Sequence, residues 1–137
     1  MTIRAMTMDD YDAVYALWNA CLSSARDADD SREAVERFLR RNPGTSVVAE
    51  IEGEIVGSIM CGHDGRRGYL YHVAVDAAHR RGGVGQAMVQ ACLAALRAEG
   101  IGSCALVAFT RNTGGNAFWE AVGFRARDMY YRERRLP

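Results

Sequence analysis

The stretch from Tyr69 to Val89, YLYHVAVDAAHRRGGVGQAMV, limits the possible folds of this chain more than any other. Tyr69 to Val75 are apolar or β-prone without a break, the pattern of a strand buried on both faces. Asp76-Ala77-Ala78 turns the chain, and Arg80-Arg81-Gly82-Gly83-Val84-Gly85 leads into a helical pattern. A strand thus ends in a glycine loop whose free backbone N–H groups open a helix. Such a loop is an anion site, because the N–H groups point outward and the helix dipole favours negative charge. Glycine allows close approach and positive φ, and two arginines add forked donors. The expected ligand carries phosphates.

Spacing narrows the choice of phosphate ligand. A dinucleotide fingerprint over this loop needs glycines at 83, 85 and 88, but position 88 is Met88. A Walker loop needs a lysine, and all 17 basic residues here are arginine. What remains is Arg-x-x-Gly-x-Gly after a Val-Ala-Val strand, and there the chain resembles the GNAT acetyltransferase superfamily. The resemblance rests on Arg80, Gly83 and Gly85, with Val73 and Val75 as the hydrophobic pair of the strand. It implies that this loop holds the pyrophosphate of acetyl-coenzyme A.

At 137 residues the chain suits one domain, 1–137, with one core. Its formal net charge is zero, which gives no reason to expect nucleic acid or an anionic membrane as a partner. No apolar run approaches the roughly 20 residues of a membrane span, and the N-terminus lacks the apolar core of a signal peptide. Cys21, Cys61, Cys92 and Cys104 lie far apart with no Cys-x-x-Cys pair. They read as reduced, mostly buried thiols of a cytoplasmic protein, with neither metal nor disulfide.

Thr2 to Met6 reads as a strand. Thr7 caps a helix that runs to about Cys21, with Tyr11, Val14, Tyr15, Trp18 and Leu22 on one side. After the acidic loop Ser23 to Asp30, a second helix spans roughly Ser31 to Arg41 and stops at Asn42-Pro43-Gly44. Thr45 to Glu50 and Glu54 to Cys61 form a hairpin about Glu52-Gly53. The turn Gly62 to Gly68 delivers the central strand, and the helix after Gly83 ends at Gly100. A strand from Ser103 to Phe109, a loop from Thr110 to Gly115, a helix from Asn116 to Val122 and a final strand from Phe124 to Arg134 complete the chain. The order is β-α-α-β-β-β-α-β-α-β, which is the GNAT order. The expected architecture is α/β (α+β), a mixed and mostly antiparallel central sheet flanked by helices.

The segment Asn112-x-x-Gly115-x-x-Phe118-Trp119-x-x-x-Gly123-Phe124 is similar to the second signature of the family. The resemblance implies that Asn112 contacts the pantetheine arm and that Phe118 and Trp119 close the cofactor site. With the first motif, the implied acetyl-CoA contacts are Val73, Ala74, Val75, Arg80, Arg81, Gly82, Gly83, Val84, Gly85, Gln86, Asn112, Phe118 and Trp119. The family often carries tyrosine at position 119, as the acid that protonates the departing thiolate. Trp119 has no useful acidity, although a thiolate pKa of roughly 8.5 tolerates unassisted departure.

The implied reaction is attack of a primary amine on the thioester. At an amine pKa of ~10.4, only about one molecule in a thousand is nucleophilic at pH 7, so a positioned base helps. The family places its base at positions that align with Tyr69 and Tyr71, neither of which is a carboxylate or histidine. Tyr71 is the expected proton relay or donor. Strict alternation sets it on the face of Val73 and turns His72 to the opposite face, as a packed or hydrogen-bonded residue. His63 and His79 fall in polar turns and read as solvated.

The expected activity is therefore transfer of acetyl from acetyl-CoA to a primary amine of a small molecule or peptide, with a homodimer compatible with the sequence. The acids between Asp9 and Glu36 (Asp9, Asp10, Asp12, Asp27, Asp29, Asp30, Glu33 and Glu36) suggest a cationic acceptor of the polyamine or aminoglycoside kind or a basic peptide, or simply solvated faces. A non-catalytic acyl-CoA sensor or partner-binding module on the same fold is the alternative.

Overall fold

The computed structural model describes residues 1–137. Strand β1 (Thr2–Ala5) leads through a 3-10 turn into helix α1 (Tyr11–Cys21), and a second such turn precedes α2 (Arg32–Arg41). Strands β2 (Val47–Ile51), β3 (Glu54–His63) and β4 (Gly68–Val75) follow. Helix α3 (Val84–Ala98), the two-residue strand β5 (Cys104–Ala105) and α4 (Thr113–Ala121) complete the elements. The sheet runs β1-β2-β3-β4-β5, antiparallel except for the parallel pair β4–β5. This is the expected mixed, mostly antiparallel architecture. No helix is long and apolar enough to cross a membrane.

Strand alternation divides the core between the two faces of the sheet. Val47, Ala49, Ile59, Cys61 and Leu70 pack with Met88, Val89, Cys92 and Leu96 of α3. Val48, Met60 and Ala74 face Val14, Leu17 and Trp18 of α1 and Val35 of α2. Truncating a fully buried residue such as Ile59 or Met88 should cost about 2–5 kcal/mol. The one polar atom of Trp18 is satisfied, since its indole N–H donates to Ser58 Oγ at 3.2 Å.

Three expectations are corrected. Residues 124–137 form no strand, because the sheet ends at a two-residue edge and five arginines crowd the tail, at 125, 127, 132, 134 and 135. Strand β5 is only Cys104–Ala105 rather than Ser103 to Phe109, because β4 turns away from it. Helix α4 begins at Thr113, three residues early, because Asn112 caps it directly.

Past its last pair with β5, at Tyr69, β4 carries a bulge. Ser58 pairs with Ala74 and Met60 with Tyr71, so Ile59 alone opposes both His72 and Val73. His72 has φ of 50°, an uncommon conformation for a residue with a side chain. Such bulges occur beside active sites, where they re-aim side chains.

Candidate active site

Beyond Tyr69 and Ala105 the two parallel strands no longer pair. The edge of β4 from Tyr71 to Val75 therefore has no strand beside it on the β5 side. At the end of this edge lies the glycine loop. Gly83, with φ of 81°, is the residue before α3, and its positive φ would strain any side chain placed there. The N–H groups of Gly82, Gly83, Val84, Gly85 and Gln86 have no acceptor in the chain, so the loop presents a row of free donors with the helix dipole behind them. Arg80 and Arg81 are exposed and lack carboxylate partners. Arg80 Nε donates to the Val75 carbonyl at 3.1 Å, which holds its guanidinium over the junction of strand and loop.

The second motif meets the first through one contact. A Cβ built on Gly85 would come within 3.2 Å of the Phe118 ring, so glycine at 85 allows α4 to rest on the first turn of α3. Trp119 lies deeper, 9% exposed, between Phe118 and Phe124 at 5.0 and 5.4 Å. Its place is in the core, and Phe118 is the member of the pair beside the loop. Asn112 Oδ1 accepts from the Gly115 N–H at 3.1 Å, and its amide NH2 has no partner in the chain. A Cβ at Gly115 would approach that amide to 2.4 Å. Glycine at 115 therefore preserves the cap, a role that its low helix propensity hides in the sequence.

On the other side of β4 the bulge overturns the alternation expected from the sequence. Val73 and Val75 pack toward α3, whereas Tyr71 meets Phe38 of α2 at 5.8 Å and His72 lies on Trp18 of α1 at 4.8 Å. Tyr71 and His72 thus share a face, and Tyr71 does not share one with Val73. The His72 Nε2 is 2.6 Å from Asp30 Oδ1. Arg26, its side chain 9% exposed, reaches the other Asp30 oxygen at 3.5 Å. Because Nε2–H donates to the carboxylate, the lone pair is left on Nδ1, which has no partner in the chain. Burial and the charge of Asp29 raise the Tyr71 phenol above its ordinary pKa, so it remains a hydrogen-bond donor.

The other histidines are held rather than solvated. His63 bonds Glu99 at 2.8 Å and accepts from the Gly65 N–H, while His79 pairs with Asp76 at 3.0 Å. The four cysteines are free, with Cys61 and Cys92 fully buried. Burial pushes the Cys104 thiol up to about 12.

A strand pair that opens ahead of a bulge, beside a loop of free N–H donors, joins both sequence motifs in one cleft. The model of the acetyltransferase (GNAT) family matches residues 11–124. The chain belongs to this family. An acetyltransferase of Pectobacterium atrosepticum is 33% identical over 136 residues, 99% of this chain and 96% of that protein. The solved GNAT relative Ard1 from Thermoplasma volcanium superposes with a TM-score of 0.80 at 26% identity, over 89% of this chain and 80% of that one. An aminoglycoside acetyltransferase, AAC(6')-Iy, solved with a coenzyme A bisubstrate analogue, has the same fold at a TM-score of 0.78 and 20% identity, over 97% of each chain.

Sequence reasoning missed the shared face of Tyr71 and His72 and the Asp30–Arg26 support behind it. A histidine gives no sign of a bulge in a strand that is otherwise β-prone throughout. The partners Arg26 and Asp30 are 46 and 42 residues away from His72 in the chain.

Proposed function

We propose that this GNAT acetyltransferase moves acetyl from acetyl-CoA to an amine by direct attack within the cleft between β4 and β5. The observation that carries this reading is the loop 82–86, whose N–H groups all lack acceptors, flanked by two unpaired arginines and continuous with the unpaired edge of β4. These groups fit the pyrophosphate and the amide-bearing arm of coenzyme A, the loop through charge and the edge through strand-like pairing. Arg80, Arg81 and the N–H groups of Gly82 to Gln86 would hold the phosphates, with Phe118 and Asn112 at the margin and Val73 to Val75 along the arm. Bound there, acetyl-CoA supplies a thioester carbonyl open to an amine.

The remaining chemistry concerns protons and developing charge. A backbone N–H of Val73 to Val75 meets the negative charge that grows on the carbonyl oxygen. His72, oriented by Asp30, takes the amine proton at Nδ1, as in other pairs where a carboxylate fixes the tautomer of a histidine base. Tyr71 donates a hydrogen bond to the sulfur as it leaves. Free thiols support a reducing compartment, the cytoplasm.

Calorimetric titration with acetyl-CoA, followed by coenzyme A release with an amine panel, tests this reading. Saturable binding and amine-dependent release are expected. A folded protein that binds no acetyl-CoA would overturn it.

A further inference from the structure

The cleft face that carries Tyr71 opens into a cavity of about 440 Å³ between the end of α2, the end of β3 and the first half of β4. This volume suits a small molecule. Its walls are Phe38, Tyr69 and Tyr71, the two tyrosine rings 4.6 Å apart. Its charge comes from Arg41 and Arg67, both exposed and neither within ion-pair distance of a carboxylate. Asp64 also lines it, but one of its oxygens already accepts from the N–H groups of Arg66 and Arg67, at 2.8 and 3.0 Å. His63 is bonded to Glu99. The cavity therefore keeps two free guanidiniums against one partly satisfied carboxylate.

The acidic stretch, which suggests a cationic acceptor when read as sequence, contributes no carboxylate to the lining of this cavity, and part of its charge is already paired. Asp10 pairs with Arg4, Asp12 with Arg32, Asp27 with Arg135 and Asp30 with both Arg26 and His72. Asp9, Asp29 and Glu33 have no ion-pair partner, and of these Asp29 is the one whose charge acts on Tyr71. A polycation would leave two arginines unanswered, and an acceptor with charges of both signs would not.

We propose that this cavity is the acceptor site and that the acceptor is an amine that also carries a carboxylate. This rests on the acetyltransferase reading above and names its substrate class. The amine sits at the end walled by Tyr71, whose chain neighbour His72, not itself in the lining, takes the proton. The carboxylate sits between Arg41 and Arg67, whose forked donors match its two oxygens. The carbon skeleton lies on the aromatic walls. Free amino acids are the simplest members of this class.

The test uses the full chain at saturating acetyl-CoA. Initial rates are measured with the protein amino acids, with the amines left when the α-carboxylate of each is removed, and with the aminoglycoside kanamycin. At least one amino acid should be acetylated with a KM about tenfold or more below that of its decarboxylated amine. Arg41→Ala and Arg67→Ala should each raise that KM about tenfold while kcat stays within about twofold. Neither should alter acetyl-CoA affinity by calorimetry. Arg37→Ala, an exposed arginine of α2 outside the cavity lining, should change nothing. Preference for a decarboxylated amine or for kanamycin, no turnover of any amino acid, or indifference of KM to both arginine variants would overturn the proposal. Those results leave the acetyltransferase reading standing so long as acetyl-CoA binds, whereas absence of that binding overturns the reading itself.

Discussion

The two sides of the β4 bulge are built in opposite ways. The proposed donor side, from Val75 to Gln86, is one contiguous segment whose free groups are mostly backbone N–H, in a loop where Arg81 and Gly83 have positive φ. The proposed acceptor side gathers side chains from α1, the loop before α2, α2 itself, β4 and the β3–β4 turn. A site made of backbone is fragile toward backbone strain and tolerant of most side-chain exchange. A site made of side chains has the reverse sensitivity, and truncation there should affect turnover while leaving donor binding alone.

The sharpest way to break this contrast is Gly83→Val. A β-branched residue at φ of 81° carries roughly 1–3 kcal/mol of strain, which the loop relieves by rotating its N–H groups away. We expect acetyl-CoA affinity to fall about a hundredfold, a loss of roughly 2.7 kcal/mol by calorimetry. Unchanged affinity in a folded variant would detach the loop from the donor.

Next in size is His72→Ala on the acceptor side, which should lower kcat by about a hundredfold with acetyl-CoA affinity intact. Stability should fall too, because Asp30 loses a partner where it is 4% exposed. His72→Gln, which keeps a group able to bond Asp30, should recover stability without recovering turnover. If it recovers both, His72 holds the bulge and transfers no proton. Tyr71→Phe should cost less, about tenfold in kcat or 1.4 kcal/mol, because it removes one hydrogen bond to the leaving sulfur. An effect of Tyr71→Phe larger than that of His72→Ala would invert the two roles.

The smallest effect belongs to a pair remote from both sides. Hydrogen bonds from Arg4 hold the Asp10 carboxyl below its ordinary value, against a smaller opposing effect of burial. A lowered folded pKa means that this stabilisation is complete above the unfolded value of about 3.9. It is lost as pH falls through the folded value beneath it. Arg4→Gln should therefore raise the pH midpoint of acid unfolding, followed by circular dichroism, and leave kinetics at pH 7 unchanged.

The same contrast decides what the sequence made legible. Arg80, Gly83 and Gly85 come together at the junction of strand and helix because they are neighbours in the chain, so their juxtaposition is legible without a fold. The elements up to α3 were equally readable, since Trp18, Val35 and Met88 follow helical periods that survive into the packed structure. Alternation failed at His72 because a single extra residue shifts everything before it to the other face. Nothing local marks Arg41, Asn42 and Arg67 as neighbours, for they meet only once the β3–β4 turn folds back on the end of α2. The strand expected from Phe124 to Arg134 completes an element order, and an element order does not say whether an edge is waiting for it.

The open flank of β4 also bears on how the protein behaves at high concentration. A row of amides with no neighbouring strand, along the edge of a sheet, is a template for a segment of another molecule. The uncapped tail, with Met129, Tyr130 and Tyr131 in solvent, supplies such segments on every copy. Coenzyme A in the cleft would occupy that position and so act as an anti-aggregant, keeping the protein colloidally stable even where no acceptor is present.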